Sequence, residues 1–257
     1  MSYLKLFGIA AFAIGAILYM ASGEEHDLVM GQQDYDLGEY VNISEGSAAH
    51  VTVRVGGDYG LDVNADEKDL ALLKVYVRGQ TLVIEKKQSV FNSWNGPKPE
   101  ITISLPKLKK YTVNGSSDVV IEGIHGSFFK AVINGSGQIK FTGGSEELKA
   151  QINGSGDLIS PSFETVDGDI SINGSGEVRM SGKCRSLEIE INGSGDFAAR
   201  DFICEKVEVD IAGSGDLVVY ASEALDVDVA GSGDVNVYGN PDKVIDRSRK
   251  KNHIKIK

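Results

Sequence analysis

The chain reads as an all-β protein: a right-handed parallel β-helix with 19–20-residue coils behind an N-terminal leader helix. Three observations carry that expectation. A glycine-centred pentapeptide recurs seven times in phase, apolar residues alternate with polar ones on both sides of it, and glycine is frequent (31 residues) while proline is scarce (5). Glycine without proline points to many tight corners rather than to a disordered linker.

The motif begins at Asn114-Gly-Ser-Ser-Asp118, Asn134-Gly-Ser-Gly-Gln138 and Asn153-Gly-Ser-Gly-Asp157. It continues as Asn173-Gly-Ser-Gly-Glu177, Asn192-Gly-Ser-Gly-Asp196, Ala212-Gly-Ser-Gly-Asp216 and Ala230-Gly-Ser-Gly-Asp234. The steps are 20, 19, 20, 19, 20 and 18 residues. One residue before each motif stand Val113, Ile133, Ile152, Ile172, Ile191, Ile211 and Val229, and three before stand Tyr111, Ala131, Ala150, Ile170, Ile189, Val209 and Val227. Polar residues such as Glu190, Asp210 and Asp228 lie between. After the motif, Val119, Ile139, Leu158, Val178, Phe197, Leu217 and Val235 resume the alternation. Period two marks a strand with one buried face. Each repeat is therefore strand, glycine corner, strand and variable return, and stacking places like residues in interior columns. An antiparallel hairpin array explains the constant phase less directly. A nine-residue calcium-binding β-roll has the wrong period.

The segments around the repeat follow from composition. Residues 1–23 read as a signal peptide or N-terminal anchor: Lys5 precedes an uncharged apolar run, Leu6 to Met20, and Ala21-Ser22-Gly23 offers small residues to a peptidase. Residues 24–34 form a linker. Residues 35–110 lack the motif but carry strand patterns such as Val51-Thr-Val-Arg-Val55 and Ile101-Thr-Ile-Ser-Leu105, and are expected to open and cap the solenoid. A single helical turn fits Asp66 to Leu72. The repeat β-helix is placed at 111–241 and a basic C-terminal tail at 242–257. The net charge is −11, yet Gly239 to Lys257 hold seven Lys/Arg against two Asp. An acidic body argues against nucleic acid as a partner. The tail suits either solvent or an anionic surface.

The repeated Ile-Asn-Gly-Ser-Gly-Asp, the strand pair Val75-Tyr-Val-Arg-Gly-Gln-Thr-Leu-Val-Ile84 and the closing Val237-Tyr-Gly-Asn-Pro241 resemble the head GIN domain family, also described as putative auto-transporter adhesin. The resemblance covers Tyr35 onward and departs from the motif at Ser117, Gln138 and Glu177. It implies an exported bacterial β-helix and carries no catalytic residues.

Candidate chemistry is sparse. Asp157, Asp196, Asp216 and Asp234 share one place in the repeat, and stacked carboxylates can be relieved by a hard cation such as calcium. Equally, each aspartate can bond to its own corner. A second acidic face comes from Asp169, Glu188, Glu190, Glu208, Asp210, Asp226 and Asp228. Cys184 and Cys204 each lie eight residues before a motif, so adjacent coils bring them together, bonded or as free thiols. The loop Ser89 to Pro99, with Phe91 and the single tryptophan Trp94, is either a contact site or a cover for the end of the rod. No nucleophile elbow, His-Glu-x-x-His or phosphate loop is present. The expectation is thus a non-enzymatic protein of the periplasm or cell envelope, without a resident cofactor. It would be adhesin-like or scaffolding and bind glycan, another envelope protein or itself. Membrane association through the N-terminal segment, including inner-membrane anchoring, is compatible with it. The competing expectation is a carbohydrate-active enzyme on the same scaffold.

Overall fold

The structure, a computed structural model, describes residues 38–87, 94, 97–249 and 254–257. The leader, the linker and Phe91 lie outside the described residues. What it describes is a parallel β-solenoid. The strands are β1 (Asn42–Gly46), β2 (His50–Val55), β3 (Gly60–Asn64), β4 (Leu73–Arg78), β5 (Thr81–Lys86), β6 (Glu100–Leu105), β7 (Lys110–Gly115), β8 (Asp118–Ile124) and β9 (Phe128–Gly135). Long strands that bend round the coil follow: β10 (Gln138–Gly154), β11 (Asp157–Gly174), β12 (Glu177–Gly193), β13 (Asp196–Gly213) and β14 (Leu217–Gly231). β15 (Val235–Tyr238), β16 (Lys243–Asp246) and β17 (Ile254–Ile256) close the series, and α1 (Glu67–Leu70) is the one helical turn among the described residues.

The register is in phase, as the repeat requires. Ile133 pairs with Ile152, Ile152 with Ile172, Ile172 with Ile191, and Ile191 with Ile211. Two inward columns on each side of the motif are buried: those from Tyr111 to Val227 and from Val113 to Val229 before it, and those from Val119 to Val235 and from Ile121 to Val237 after it. Bulges after Lys140, Ser160 and Arg179 bend the strand without breaking its pairing. Phe129, Phe141 and Phe163 fill the interior at one such bend, with ring centroids 5.5 and 5.0 Å apart.

The corner chemistry explains the glycines. The Ser175 N–H donates to the Gly154 carbonyl at 2.9 Å, and Ser194 repeats this on Gly174 at 2.9 Å. Gly174 has φ +137°, and a Cβ there would lie 2.2 Å from the same Gly154 oxygen. Neither the backbone angle nor the stacking distance admits another residue.

The N-terminal section departs from simple succession. β1 pairs in parallel with both β5 and β7, and β2 with both β6 and β8. The coil of β1 and β2 therefore lies between β5/β6 and β7/β8, and Pro106–Lys109 passes it. Beyond, β4 runs antiparallel to β5 and β3 antiparallel to β6, so the chain visits the two faces in reverse and forms a non-repeating end layer. Leu61, Leu70, Val75 and Val77 pack against the core there.

The opposite end corrects one expectation. The basic segment after 242 is not a free tail. β16 pairs with β14 and β17 with β15, so the segment forms the last layer. Val244, in register with Leu225, and Ile254 and Ile256, in register with Val235 and Val237, supply the inward positions that the Lys/Arg content masked. Seven motif-bearing coils thus have three layers before them and one after. Neighbouring strands lie about 4.8 Å apart, so the rod is roughly 48 Å long.

Candidate functional site

The outward residues form straight ladders because the inward ones stack. The first ladder lies along the corner. Asn134 donates from Nδ2 to Asn114 Oδ1 at 2.9 Å, Asn153 to Asn134 at 2.8 Å, Asn173 to Asn153 at 3.3 Å and Asn192 to Asn173 at 3.2 Å. Asn114 continues the row onto Ser44 Oγ at 3.1 Å. The asparagines thus bond to one another across coils rather than to their own corners. The sequence shows the signal only as recurrence. Ala212 and Ala230 stand at the same place and end the row.

Asp157, Glu177 and Asp196 are register partners in the next ladder. The Asp216 N–H donates to Asp196 Oδ1 at 3.0 Å and the Asp234 N–H to Asp216 Oδ1 at 3.0 Å. These two carboxylates satisfy backbone donors of the coil above. Lys98 pairs with Asp118 at 3.1 Å at one end of the ladder and Lys255 with Asp234 at 2.6 Å at the other, and Arg179 pairs with Glu177. Among the described residues, no three His, Cys, Asp or Glu side chains gather as a metal-ligand group.

The second acidic face also forms as rows: Asp169, Glu188, Glu208 and Asp226, then Glu190, Asp210 and Asp228. Burial, then the charge of Glu208, raises the Asp210 pKa above the usual aspartate value. Arg247 relieves the crowding, 3.0 Å from Glu208 and 2.8 Å from Asp226, one rung apart. Beside these rows runs a groove of about 920 Å³. Its floor is Gly168, Leu187, Val207 and Leu225, and its walls include Glu147, Asp167, Asp169, Glu188, Lys206 and Glu208. Lys149 lies 3.3 Å from both Asp169 and Glu147, and these bonds raise its pKa. Ser186 and then Arg185 hold the Asp167 carboxyl below the ordinary range.

Cys184 and Cys204 are register partners with Cα atoms 4.5 Å apart, and their sulfurs are bonded. Trp94 is half-buried against the core. Its Nε1–H donates to the Ala48 carbonyl at 3.3 Å and Lys86 sits 3.9 Å above its ring. It covers the coil rather than standing clear of it.

A buried carboxyl escaped the sequence reading. Glu45 is in register with Val113 and takes an inward position, 0% exposed. Its Oε1 accepts from the Ser47 N–H at 2.6 Å and from the Ser47 hydroxyl. Burial raises its pKa, opposed by Ser117 and Ser47. Tyr111 and Tyr40 are pushed up as well, first by burial, Tyr40 to about 12. Two signals pointed here: Glu45 is in phase with Ile43, and Ser117 replaces the motif's usual glycine.

The fold has solved counterparts. A structure from Parabacteroides distasonis described as a putative lipid binding protein is 24% identical, covering 87% of this chain and 94% of that one, with TM-score 0.76. A putative adhesin from Parabacteroides merdae is 16% identical, covering 86% and 93%, with TM-score 0.78. A putative adhesin from Bacteroides fragilis is 21% identical, covering 87% and 92%, with TM-score 0.62. No curated protein matches the chain. The family described as putative auto-transporter adhesin, head GIN domain, matches residues 39–241, and the chain belongs to it.

Proposed function

We propose that the chain is an exported, non-enzymatic binding protein of the bacterial envelope, and that it engages an extended glycan along the acidic groove. One observation carries this reading. The groove is lined by register partners of successive coils, Asp169, Glu188, Glu208 and Asp226, so its polar groups repeat along the rod rather than converging on one point. Carboxylates in rows suit the hydroxyls of a chain-like ligand. The family and the adhesin labels of its structural neighbours support the same class. The apolar run Leu6 to Met20 supports export or anchoring, and among the described residues no helix is long and apolar enough to cross a membrane.

The competing reading is a carbohydrate-active enzyme, a polysaccharide lyase or hydrolase, and the lyase form needs a basic side chain able to take a proton. The groove lysine Lys149 lies 3.3 Å from both Glu147 and Asp169, and those acids favour its charged form. A panel of extended and short glycans, tested against the full chain, separates the readings. Retention of an extended glycan, weakened several-fold by Glu188→Gln with Glu208→Gln, is the expected result. Turnover of the glycan would assign an enzyme, and a panel without binders would remove the glycan.

A further inference from the structure

Among the described residues, nothing covers the inward side chains of the last layer. Val244 is in register with Leu225, and Ile254 and Ile256 with Val235 and Val237, all inward positions. One coil back these side chains are buried, yet Val244 is 40% exposed and Ile256 49%. Ile245, beside them, is 36% exposed. Among the described residues no strand stacks beyond β16 and β17. The other end differs: α1 and the reversed β3 and β4 cover it. A solenoid core needs both ends covered.

The surroundings of the open end are basic. The segment 239–257 carries seven Lys/Arg against two Asp, on a chain of net charge −11. Arg247 and Lys255 turn back onto the acidic rows, while Lys243, Arg249 and Lys257 are exposed at the tip. We propose that this tip docks end-on against an anionic lipid bilayer. Val244, Ile245 and Ile256 enter the boundary between headgroups and acyl chains, and Lys243, Arg249 and Lys257 meet the phosphates.

Charge decides the occupant. Exposed aliphatic side chains in a segment with an excess of Lys and Arg are the chemistry of an interfacial lipid contact. The acidic body is repelled by the same surface, so only the tip approaches it and the rod stands upright. A second copy fits less well. Tip against tip sets two basic rings together, and tip against the far end meets an edge already covered. The proposal goes beyond the glycan reading: Lys243 and Ile245 also line the end of the groove, whereas Val244, Arg249, Ile256 and Lys257 do not.

Vesicle co-sedimentation of the full chain tests it, with phosphatidylcholine alone against phosphatidylcholine mixed with phosphatidylglycerol. The run Leu6 to Met20 adds background to both, so the difference between vesicles reads the tip. Expected is a preference of about tenfold or more for the mixed vesicles, lost at high salt. Lys243→Gln with Arg249→Gln and Lys257→Gln should abolish the preference, and Val244→Ser with Ile256→Ser should weaken binding to the mixed vesicles. The charge variant changes exposed positions only, so it keeps the test decisive if the serine variant melts early. Equal binding of the unaltered chain to both vesicles overturns the proposal, as does a preference unchanged in the charge variant. A dimer that Ile256→Ser dissociates overturns it too, by giving the tip to a second copy. Glu188→Gln leaves the lipid result untouched, so the two readings fail separately.

Discussion

Gly174 and its equivalents are fixed by two constraints at once, a positive φ and a carbonyl from the coil below. Gly174→Ala should therefore cost about 2 kcal/mol or more in urea unfolding. The asparagine row makes a graded forecast. Asn153 both donates and accepts along the row, whereas Asn192 meets Ala212 on its far side. Asn153→Ala should cost about 1–2 kcal/mol and Asn192→Ala about half that, since each bond contributes roughly 1 kcal/mol. Glu45 adds a pH dependence of known sign. Its folded pKa is raised, so the folded chain holds the proton more tightly than the unfolded one. Stability from this group is then lost as pH rises from the unfolded value through the folded one. Glu45→Gln removes that loss, so its melting temperature relative to the unaltered chain should climb between acid and neutral pH. A constant difference would mean that Glu45 does not titrate in that range. The carboxylates of Asp196 and Asp216 are already bonded to backbone N–H groups, so millimolar calcium should leave the melting temperature unchanged; a rise would assign a cation to that row.

Elements divide by whether they repeat. The coils from β7 to β15 are legible because alternation and motif fall in one phase, and phase alone sets both register and burial. The partner of each asparagine is not legible, since recurrence gives positions but not which neighbour a side chain chooses. The strands of the N-terminal section carry alternation without a phase. Sequence therefore reads them as strands yet gives no hint that β1 and β2 sit between β5/β6 and β7/β8. At the far end the Lys/Arg content hides two short strands, one with Val244 and Ile245 side by side and one with Ile254 and Ile256 in alternation. The cysteines illustrate the opposite case, because equal offsets from the motif place them on adjacent rungs. Their bond closes a loop of 20 residues. Reducing it should lower stability by about 3 kcal/mol on the chain-entropy account, read as an earlier urea midpoint after thiol treatment.

The assembled rod separates its surfaces by a simple rule. Inward positions make one continuous interior, and every outward position becomes a row about 4.8 Å in pitch. Rows of amide, carboxylate and mixed charge follow without further design, and so does a groove that runs along the axis. Acidic rows on the sides and a basic last layer give the rod a polarity along its length. These properties all rest on vertical alignment of equivalent residues, which paired cysteines can measure directly. Gln151 and Ser171 are register partners on adjacent coils, and Glu190 is one coil further on. Gln151→Cys with Ser171→Cys should close to a disulfide under mild oxidation, while Gln151→Cys with Glu190→Cys, about 9.6 Å away, should stay reduced. Bonding of the distant pair in place of the adjacent one would contradict the stacked coil.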